Sequence, residues 1–315
     1  MKKLGLVVVG TGFWGRSHVR VLNSLRNVRV VGICDTDLKR AKDVARTFEV
    51  QYCKSLDEIL SQREVDAATI CTPTTTHKEV AMKAIEAGKD VFIEKPIAST
   101  SEEARELLSI AKKEGVQVAV GFVERYNPAV RYIKELVDKR KLGKIILVIA
   151  RRVTRWPQRI GDVGVTKDSA IHDIDIMRYL IGGDVRTVYA KTGSLVHKFE
   201  DFSEILLNFS GGEVGFIDAN WLTPRKIRKL TVTGSEATAT IDYLTQETVV
   251  ENSIKSVMPR LKWGEPLRLE LESFVSAIRA GRPPSASGED GLKALEVCEA
   301  ALESGRTGQV VQVGF

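Results

Sequence analysis

The feature that most constrains the fold is a glycine-rich turn near the N-terminus. It reads Gly10-Thr11-Gly12-Phe13-Trp14-Gly15, directly follows the apolar run Leu4–Val9 and precedes an amphipathic segment. In a strand–turn–helix unit, the first glycine permits the tight turn, the second lets backbone amides approach a pyrophosphate, and the third lets the helix lie close to the strand. The helix N-terminus also favours an anion. The pattern therefore predicts a dinucleotide-binding turn, with an ordinary glycine turn as the less favoured alternative.

An acidic residue stands where a bound ribose would need it. Asp35 ends the second apolar run, Val28–Cys34, and lies 20 residues after Gly15. A carboxylate there accepts hydrogen bonds from the adenosine ribose hydroxyls and repels a 2′-phosphate, which predicts NAD rather than NADP. Arg40 follows closely enough to soften this preference, because a guanidinium could reach a 2′-phosphate. The alternative is that Asp35 only caps the next helix.

Apolar runs alternate with amphipathic segments through the first part of the chain, as in parallel strands joined by helices. Ser/Thr-x-x-Glu boxes predict helix starts at Ser55, Thr76 and Thr100. Further along, strand-like runs follow one another with hairpin signals between them, which is typical of a mostly antiparallel sheet.

We therefore predict an α/β protein with two domains. The first, 1–123, is a doubly wound Rossmann domain that binds NAD. The second, 124–315, is an α+β domain for substrate binding and oligomerisation with a large open, mostly antiparallel sheet. A return of the C-terminal helices, 265–304, to the first domain is left open.

Composition excludes several other classes of protein. The 315 residues are 43% hydrophobic and 28% charged, which is typical of a folded globular chain. Every apolar run is far shorter than the ~20 residues of a membrane-spanning helix, and Leu4–Val9 lacks a cleavage-site pattern, so we expect a cytoplasmic protein without a membrane partner. The net charge of +6 is scattered along the chain, which argues against nucleic acid. The four cysteines fit neither a redox motif nor a zinc pair, and we predict no metal.

Two short motifs follow later strands of the predicted parallel sheet. Glu94-Lys95-Pro96 comes after Asp90–Ile93, and Thr72-Pro73, followed by His77, comes after Val65–Cys71. Ligands of doubly wound sheets bind at the carboxyl ends of the strands. We therefore place Lys95 near the nicotinamide and assign Thr72, Pro73, His77 and Glu94 to the cofactor site. An ordinary strand end is the alternative for each motif, and His77 fits the start of a helix as well.

The predicted helix Asp168–Ile181 carries a polar stripe. Four of its residues share one face at 100° per residue: Asp168, His172, Asp175 and Tyr179. Apolar residues flank the stripe and it lacks lysine, so we interpret it as the lining of a cleft. Asp168, four residues before His172, can hold the imidazole's tautomer and leave the other nitrogen to take a proton, which predicts a general base. A metal site at His172, Asp173 and Asp175 is the less favoured alternative.

Taken together, these motifs resemble the glucose–fructose oxidoreductase, inositol dehydrogenase and rhizopine-catabolism (GFO/IDH/MocA) family of nicotinamide-dependent sugar dehydrogenases. The resemblance spans the whole chain and includes Ser287-Gly288-Glu289-Asp290-Gly291-Leu292 before the last helix. It implies that Lys95 polarises the reacting hydroxyl, that His172 accepts its proton while hydride leaves for the nicotinamide, and that Asp168 orients the pair. The segments 121–128 and 157–165 are similar to the branch that oxidises the 3-hydroxyl of UDP-N-acetylhexosamines or their uronates. Lys167 departs from that branch, which more often has an apolar residue there.

The resemblance also implies substrate contacts in the second domain. Glu124, Tyr126 and Asn127 follow the last strand of the first domain and are expected to contact substrate or nicotinamide ribose, with an ordinary domain junction as the alternative. A short stretch before the predicted helix is rich in arginine: Arg151, Arg152, Arg155 and Arg159. These side chains, Arg155 and Arg159 above all, either hold a substrate diphosphate through charge-assisted hydrogen bonds or form a solvated strand face.

The leading hypothesis is an NAD-dependent dehydrogenase of a nucleotide sugar. A dehydrogenase of a free sugar or inositol is the alternative substrate class, and a non-catalytic dinucleotide-sensing regulator is the alternative of another kind. The presence of both Lys95 and His172 disfavours the regulator. The open sheet would expose a broad apolar face, which predicts a homodimer or homotetramer. The sequence leaves open whether NAD is released or recycled in place by a 2-oxo acid.

Overall fold

The chain divides into two compact units in a computed structural model that describes residues 3–155 and 162–314. The first unit comprises Met1–Phe122 and Leu267–Leu292, and the second comprises Val123–Pro266 and Lys293–Phe315. Residues 267–292 therefore belong with the N-terminal unit although they follow the second unit's sheet in the chain. Among the described residues, no helix is long and apolar enough to cross a bilayer.

The first unit alternates strands with helices around a parallel sheet. Its strands are β1 Leu4–Val9, β2 Val28–Cys34, β3 Tyr52–Cys53, β4 Ala67–Ile70, β5 Asp90–Ile93 and β6 Val118–Val120. The helices between them are α1 Phe13–Ser24, α2 Leu38–Phe48, α3 Leu56–Leu60, α4 His77–Glu86 and α5 Ser101–Glu114. The strand order is β3-β2-β1-β4-β5-β6, with every neighbouring pair parallel. This order confirms the doubly wound Rossmann fold and places the topological switch point between β1 and β4.

Side-chain caps explain where several of these helices begin. Ser55 accepts a hydrogen bond from the amide of Glu58, and Thr100 accepts one from the amide of Glu103, as their boxes predict. The helix start predicted at Thr76 is also right, since α4 begins at His77 with Thr76 as its N-cap residue, but the side-chain cap is absent. A 3₁₀ turn, Thr74–Thr76, runs directly into α4, and the Thr76 hydroxyl donates to the carbonyl of Pro73 instead of accepting from the helix.

The second unit is built on one large mixed sheet. Its strands are β7 Ile145–Arg155, β8 Val185–Gly193, β9 Phe202–Phe209, β10 Val214–Asn220, β11 Leu222–Gly234, β12 Thr238–Asp242, β13 Thr248–Glu251, β14 Ser256–Val257 and β15 Val311–Gln312. The remaining helices of the chain are α6 Pro128–Asp138, α7 Ile171–Ile181, α8 Pro266–Ala280 and α9 Gly288–Thr307. The strand order is β14-β13-β12-β11-β7-β10-β9-β8-β15. Its neighbours are antiparallel except β7 and β10, which confirms the mostly antiparallel sheet.

The two faces of this sheet differ because side chains alternate along each strand. One face packs against α7, and its side chains are buried, as at Val148 and Ala150 of β7. The other face exposes large apolar side chains, including Ile149 of β7 and Phe216 of β10. The second face is therefore open in the single chain.

The motif before the last helix has a structural role in the first unit. Ser287 and Asp290 cap α9 reciprocally, since each backbone amide donates to the other's side chain, at 3.0 and 3.2 Å. A Cβ at Gly291 would lie 2.7 Å from a methyl of Val120, so the glycine lets the start of α9 pack tightly on β6. The serine and the glycine together fix how residues 267–292 return to the parallel sheet.

Candidate active site

The glycine turn between β1 and α1 is shaped by close backbone contacts. Gly10 has a φ of 84°, and a Cβ there would lie 2.7 Å from the carbonyl oxygen of Cys71. A Cβ at Gly15 would lie 1.7 Å from the carbonyl oxygen of Gly10. Both positions therefore require glycine for the fold itself. Gly12 is different, because a Cβ there would have no atom within 4 Å.

The space beside Gly12 fits a pyrophosphate. Gly12 is the N-cap residue of α1, it offers no side-chain cap, and the first turn of the helix holds no acidic residue. The helix amides and the positive end of the helix dipole therefore favour an anion. Within the described chain, the buried hydroxyl of Thr72 at the end of neighbouring β4 makes no hydrogen bond. The open space at Gly12 and the hydroxyl of Thr72, which could donate a hydrogen bond, both fit the phosphate groups of NAD.

Asp35 lies at the end of β2 with an almost fully buried side chain. Its Oδ2 accepts hydrogen bonds from the Thr11 amide at 2.6 Å and the Thr11 hydroxyl at 2.7 Å. Arg40 donates from Nε to Oδ2 at 3.0 Å and from Nη2 to Oδ1 at 2.6 Å. Burial opposes ionisation, but the hydrogen bonds from Arg40 and Thr11 outweigh it and lower the pKa of Asp35 to about 2. The carboxylate is thus ionised, but Arg40 neutralises part of the charge that a ribose would meet.

Glu94 lies at the end of β5 in a buried environment. Its Oε1 is 3.0 Å from Nε2 of His18, which is fully buried in α1. A Cβ at Gly121 would come within 2.8 Å of Oε2 of Glu94, so that glycine makes room for the carboxylate. Sequence reasoning missed His18, since a lone histidine on the inner face of a helix carries no motif. The contact between His18 and Glu94 connects α1 to the turn that contains Lys95.

Lys95 follows directly on Glu94, is half-buried, and has a cis peptide bond to Pro96. His77 lies behind this turn with 1% of its surface exposed. Its Nδ1 is 2.8 Å from the carbonyl oxygen of Pro96, and its Nε2 is 2.9 Å from that of Thr72. His77 thus joins the loops after β4 and β5 through backbone carbonyls, and its predicted cofactor contact stays a prediction.

In the second unit, Asp168 and His172 lie on consecutive helical segments. The predicted single helix from Asp168 begins instead with a π-helical turn, Thr166–Ala170, and His172 is the second residue of α7. The hydroxyl of Ser169 donates to Oδ2 of Asp168 at 3.1 Å and accepts from Nε1 of Trp221 at 3.3 Å. Both Asp168 and His172 are half-buried. A π turn is often found at functional sites, since it displaces side chains from their α-helical positions.

The remaining carboxylates of α7 form buried ion pairs. Arg125 binds Asp175 through two hydrogen bonds, at 2.8 and 2.6 Å. Arg152 binds Asp173 in the same way, at 2.6 and 3.0 Å. Asp175 therefore belongs to the interior of the unit and not to a cleft, which corrects part of the predicted stripe. These partners are 50 and 21 residues apart, so no local pattern announces them.

Glu124 joins the same buried network. Its Oε1 accepts from Nη1 of Arg152 at 2.9 Å and from Nη1 of Arg228 at 3.3 Å. Burial opposes the charge of Arg152, but Asp173 and Glu124 hold its pKa well above the usual value. Burial and the charge of Arg152 lower the pKa of Arg228. These ion pairs connect Glu124 to β7 and β11, and its predicted substrate contact stays a prediction.

Tyr126 and Asn127 are also structural in this arrangement. Tyr126 is buried, and the guanidinium of Arg131 lies 5.1 Å from its ring centroid. Asn127 caps α6 by accepting from the amide of Ala129 at 3.1 Å and donates to the carbonyl of Tyr243 at 3.0 Å. These contacts fit the domain-junction alternative, and the predicted substrate contacts of Tyr126 and Asn127 stay predictions.

The arginine stretch does not form one patch. Arg151 lies on the open face, where its Nε donates to Asp218 at 2.8 Å, whereas Arg152 lies on the covered face. Arg155 is exposed at the end of β7. Arg159 lies outside the described residues. Lys167, the departure from the family pattern, places its ammonium 3.4 Å from Glu299.

The side chains that could bind a metal are dispersed among the described residues. No three His, Cys, Asp or Glu side chains converge on one point anywhere in 3–155 or 162–314. The cysteines are free thiols, and burial raises the pKa of Cys34 to about 12. The residues that fit a cofactor are therefore those around Gly12, Asp35 and Thr72.

Several known proteins are similar to this chain in sequence and in fold. Residues 4–122 match the model of an oxidoreductase family with an NAD-binding Rossmann fold, and residues 130–240 match the GFO/IDH/MocA C-terminal domain. The scyllo-inositol 2-dehydrogenase (NAD(+)) of Bacillus subtilis is 31% identical over 326 residues, covering 97% of this chain and 95% of that protein.

Solved structures extend the similarity to the whole fold. UDP-N-acetylglucosamine 3-dehydrogenase from Acidithiobacillus ferrooxidans matches with a TM-score of 0.91 at 27% identity, covering 98% of this chain and 100% of that one. GenD2 from gentamicin A biosynthesis, solved in complex with NAD, matches with a TM-score of 0.88 at 27% identity over 100% and 97% of the two chains. Together with the glycine turn, Asp35 and the Asp168–His172 segment, these matches establish that the chain belongs to the GFO/IDH/MocA family of NAD-binding oxidoreductases.

Proposed function

We propose that the chain oxidises a secondary hydroxyl of a sugar with NAD, and that its substrate is the 3-hydroxyl of a UDP-N-acetylhexosamine or its uronate. The observation that carries the proposal is the Asp168–His172 segment, in which the carboxylate is anchored through Ser169 and Trp221 at the start of α7. The relative from Acidithiobacillus ferrooxidans, which is a UDP-N-acetylglucosamine 3-dehydrogenase, supports the choice of substrate.

The assigned roles follow from the charge of each group. Lys95 binds the reacting hydroxyl, and its ammonium stabilises the alkoxide character that develops as the O–H proton leaves. His172 accepts that proton as general base, and Asp168 orients the imidazole and stabilises its cationic form. NAD, when bound, takes the hydride from the carbon. One proton and one hydride thus leave the alcohol, and a ketone is formed.

Two buried ion pairs hold the helix that carries His172 in place. Asp173, the neighbour of His172, is held by Arg152, and Asp175 is held by Arg125. Both arginines are nearly inaccessible to solvent, so two buried ion pairs hold α7 in the turn that follows His172. A base held by a rigid helix loses little entropy when substrate binds, which favours proton transfer.

An inositol or free sugar is the second candidate substrate. The similarity to the scyllo-inositol 2-dehydrogenase of Bacillus subtilis favours it, as does the division of the arginine stretch. Arg151 and Arg152 are both paired with carboxylates. A diphosphate would therefore depend on Arg155 and Arg159, and a neutral polyol would need neither.

The decisive experiment measures NADH formation in single turnover with UDP-N-acetylglucosamine, its uronate and myo-inositol. We expect oxidation of a UDP-sugar that falls at least about 10³-fold in His172→Ala and in Lys95→Met. Lys112→Met, on the exposed side of α5, serves as a control for the loss of a lysine. Repeating the reaction with catalytic NAD and added 2-oxoglutarate tests recycling in place.

The outcomes separate the hypotheses. Oxidation of myo-inositol alone would contradict the nucleotide-sugar proposal and leave the roles of Lys95 and His172 in place. Cofactor binding without oxidation of any of the three substrates would favour the non-catalytic regulator. Full activity of His172→Ala would contradict the assignment of the base.

We also propose that the chain acts as a homodimer or homotetramer. The support is the open face of the second unit's sheet, where Ile149, Phe216 and Tyr189 are exposed. A contiguous apolar face of this kind marks an interface more often than a solvated surface. Sedimentation velocity on the whole chain tests this proposal, and a monomer at all concentrations would contradict it.

A further inference from the structure

Two arginines lie directly opposite each other on the covered face of the second unit's sheet. Arg228 of β11 is the antiparallel partner of Arg152 of β7. Two residues further along, the paired Leu230 and Ala150 are both buried, so both arginines belong to the face that packs against α7. Like charges directly opposite each other destabilise a sheet. The two guanidinium groups therefore require negative charge nearby.

The negative charge that surrounds them is shared unequally. Arg152 donates to both oxygens of Asp173, at 2.6 and 3.0 Å, and to Oε1 of Glu124 at 2.9 Å. Arg228 donates to the same Oε1 of Glu124 at 3.3 Å, and within 3–155 and 162–314 its side chain makes no other hydrogen bond. A guanidinium has five N–H donors. Most of those on Arg228 are therefore available to a further partner.

Arg228 is also the more accessible of the two cations. Its side chain is 33% exposed, whereas that of Arg152 is 4% exposed. Burial and the charge of Arg152 lower the pKa of Arg228, and the carboxylates of Glu124, Asp173 and Asp168 offset this effect only in part. The cation is thus incompletely compensated and open to solvent. An anion that replaced the water around it would gain charge-assisted hydrogen bonds.

The strand order places Arg228 beside the proposed base. Strands β11, β7 and β10 are neighbours in the sheet, and such neighbours lie about 4.8 Å apart. Trp221, which follows β10, holds the Asp168 segment through Ser169. Arg152 of β7 binds the residue that follows His172. Arg228 lies one strand further along, close to the start of α7, where the sugar that carries the reacting hydroxyl would bind.

Strand β11 becomes irregular next to Arg228. Its register with β7 shifts between Leu222 and Ile227, where residues 223–226 stand opposite a single residue of β7. Bulges of this kind are frequent beside active sites, where they redirect side chains or end the pairing. The irregularity begins one residue from Arg228 and fits its partial exposure, whereas Leu230 lies in the regular ladder and is fully buried.

We propose that Arg228 binds a carboxylate on the sugar, so that the chain prefers the uronate of a UDP-N-acetylhexosamine to the uncharged sugar. This inference rests on the proposed function and adds a residue that determines specificity. The edge of a guanidinium offers two parallel N–H donors, which match the two oxygens of a carboxylate.

The diphosphate of the same substrate has similar anionic chemistry but fits this position less well. It carries two negative charges, and it would lie near Glu124, Asp168 and Asp173 with Arg228 as the one nearby described arginine that has donors to spare. The single charge of a carboxylate repels these groups less. Arg155, exposed at the end of β7, is better placed for the diphosphate because it lies outside this group of carboxylates.

The test compares NADH formation from UDP-N-acetylglucosamine and from its uronate in the wild-type chain and in Arg228→Met. We expect the wild-type chain to favour the uronate at least about tenfold in kcat/KM. Arg228→Met should lower kcat/KM for the uronate at least about tenfold, mainly through KM, and change that for the uncharged sugar less than about threefold. Arg63→Met, exposed between α3 and β4, removes the same charge and should change neither.

Two further measurements separate binding from folding and from catalysis. Activity of Arg228→Met on the uncharged sugar shows that the variant folds, and Glu124 keeps its shorter hydrogen bond to Arg152. Arg228→Lys retains the charge but loses the paired donors, so its loss with the uronate should be intermediate. Calorimetry in the His172→Ala background, with NAD present, should show the same differences in the dissociation constants of the two sugars.

Several results would overturn the inference. Equal losses for both sugars in Arg228→Met would assign Arg228 to the diphosphate instead of the carboxylate. Unchanged kinetics and binding for both sugars would place Arg228 outside the substrate site, and an equal loss in Arg63→Met would show a nonspecific effect of charge. Oxidation of the uncharged sugar without binding of the uronate would refute this inference alone, whereas a wild-type chain that oxidises neither would refute the proposed function as well.

Discussion

Replacing Arg40 should change which dinucleotide the chain prefers. Arg40 donates to both oxygens of Asp35, at 3.0 and 2.6 Å, on the edge of the carboxylate that a ribose would approach. NAD must share these oxygens with the guanidinium. A 2′-phosphate on NADP, in contrast, would gain a cation and meet a carboxylate whose charge is partly neutralised. Arg40→Gln should therefore strengthen NAD binding and weaken NADP binding.

The size of the effect follows from the exposure of the pair. The Arg40 side chain is 47% exposed and that of Asp35 only 3%. An ion pair that is half in solvent is screened, and its contribution is about 1 kcal/mol. Each 1.4 kcal/mol corresponds to a factor of about ten in affinity, so each cofactor should change by about fivefold, in opposite directions. The NADPH dissociation constant divided by the NADH dissociation constant should therefore rise about 25-fold.

The assay is a fluorescence titration of NADH and NADPH against the wild-type chain, Arg40→Gln and Arg46→Gln. Arg46 lies on the exposed side of the same helix and controls for the loss of one positive charge. A second readout is the pKa of Asp35, which should rise from about 2 towards the usual value of an aspartate in Arg40→Gln. An unchanged NADH to NADPH ratio, or an equal change in Arg46→Gln, would refute the argument.

The same pair has a predictable dependence on pH. Because the folded-state pKa of Asp35 is depressed, the pair stabilises the fold above the ordinary aspartate pKa and loses that contribution as pH falls towards about 2. Arg40→Gln should reduce this acid dependence, whereas Arg46→Gln should retain it.

Four further substitutions test the fold and the cofactor turn. Gly12→Ala should leave the melting temperature within about 2 °C of wild type, since a Cβ has open space there. The same variant should weaken NADH binding at least about tenfold. Gly15→Ala should lower the free energy of unfolding by about 2 kcal/mol or more, because its Cβ would lie 1.7 Å from a backbone oxygen. Arg152→Met should lower the free energy of unfolding by about 3 to 5 kcal/mol, because the buried Asp173 loses its two-hydrogen-bond cation and Glu124 keeps the longer contact with Arg228. Asn127→Ala should lower it by about 1 to 2 kcal/mol through loss of the α6 cap. Thermal and urea unfolding, with an NADH titration for the glycines, measure all four variants.

Each of these predictions can fail in a recognisable way. Equal stability of Gly12→Ala and Gly15→Ala would show that the turn is not packed as described. Tight NADH binding by Gly12→Ala would show that the pyrophosphate lies elsewhere. Wild-type stability of Arg152→Met would mean that the buried network relaxes at no cost.

The first unit was predictable because its signals are local. The strand Val28–Cys34 has the predicted bounds, and the glycine turn has the predicted neighbours on both sides. Residues 267–292 were harder, because their return to the parallel sheet depends on contacts with residues far away in the chain. Gly291 shows this dependence, since its Cβ would meet the side chain of Val120.

The candidate site likewise contains residues that local sequence patterns predict and residues whose partners lie far away in the chain. Asp168 and His172 were predictable because their spacing places them one turn apart, although the π turn between them leaves no sequence signal. The partners of Asp173 and Asp175 could not be predicted from the helix, since they come from a distant strand and a 3₁₀ turn. Arg152 carried no local signal either, because residues 145–150 are all apolar and do not show which face of β7 is buried. Its inward direction is seen only in the alternating burial of the folded strand.

Strand β7 explains why the arginine stretch serves two purposes and not one. Its side chains alternate between the faces of the sheet, so Arg152 binds Asp173 of α7 while Arg151 pairs with Asp218 on the open face. Arg151 and Arg152, although adjacent in sequence, therefore bind different carboxylates of the chain, Asp218 and Asp173. Loss of Arg152 should disturb the base at His172 through the position of its helix, whereas loss of Arg151 should disturb association and leave a monomer's chemistry intact. A dehydrogenase assay and a sedimentation measurement on the two alanine variants would separate these effects, and equal effects of both variants on both measurements would contradict the alternation argument.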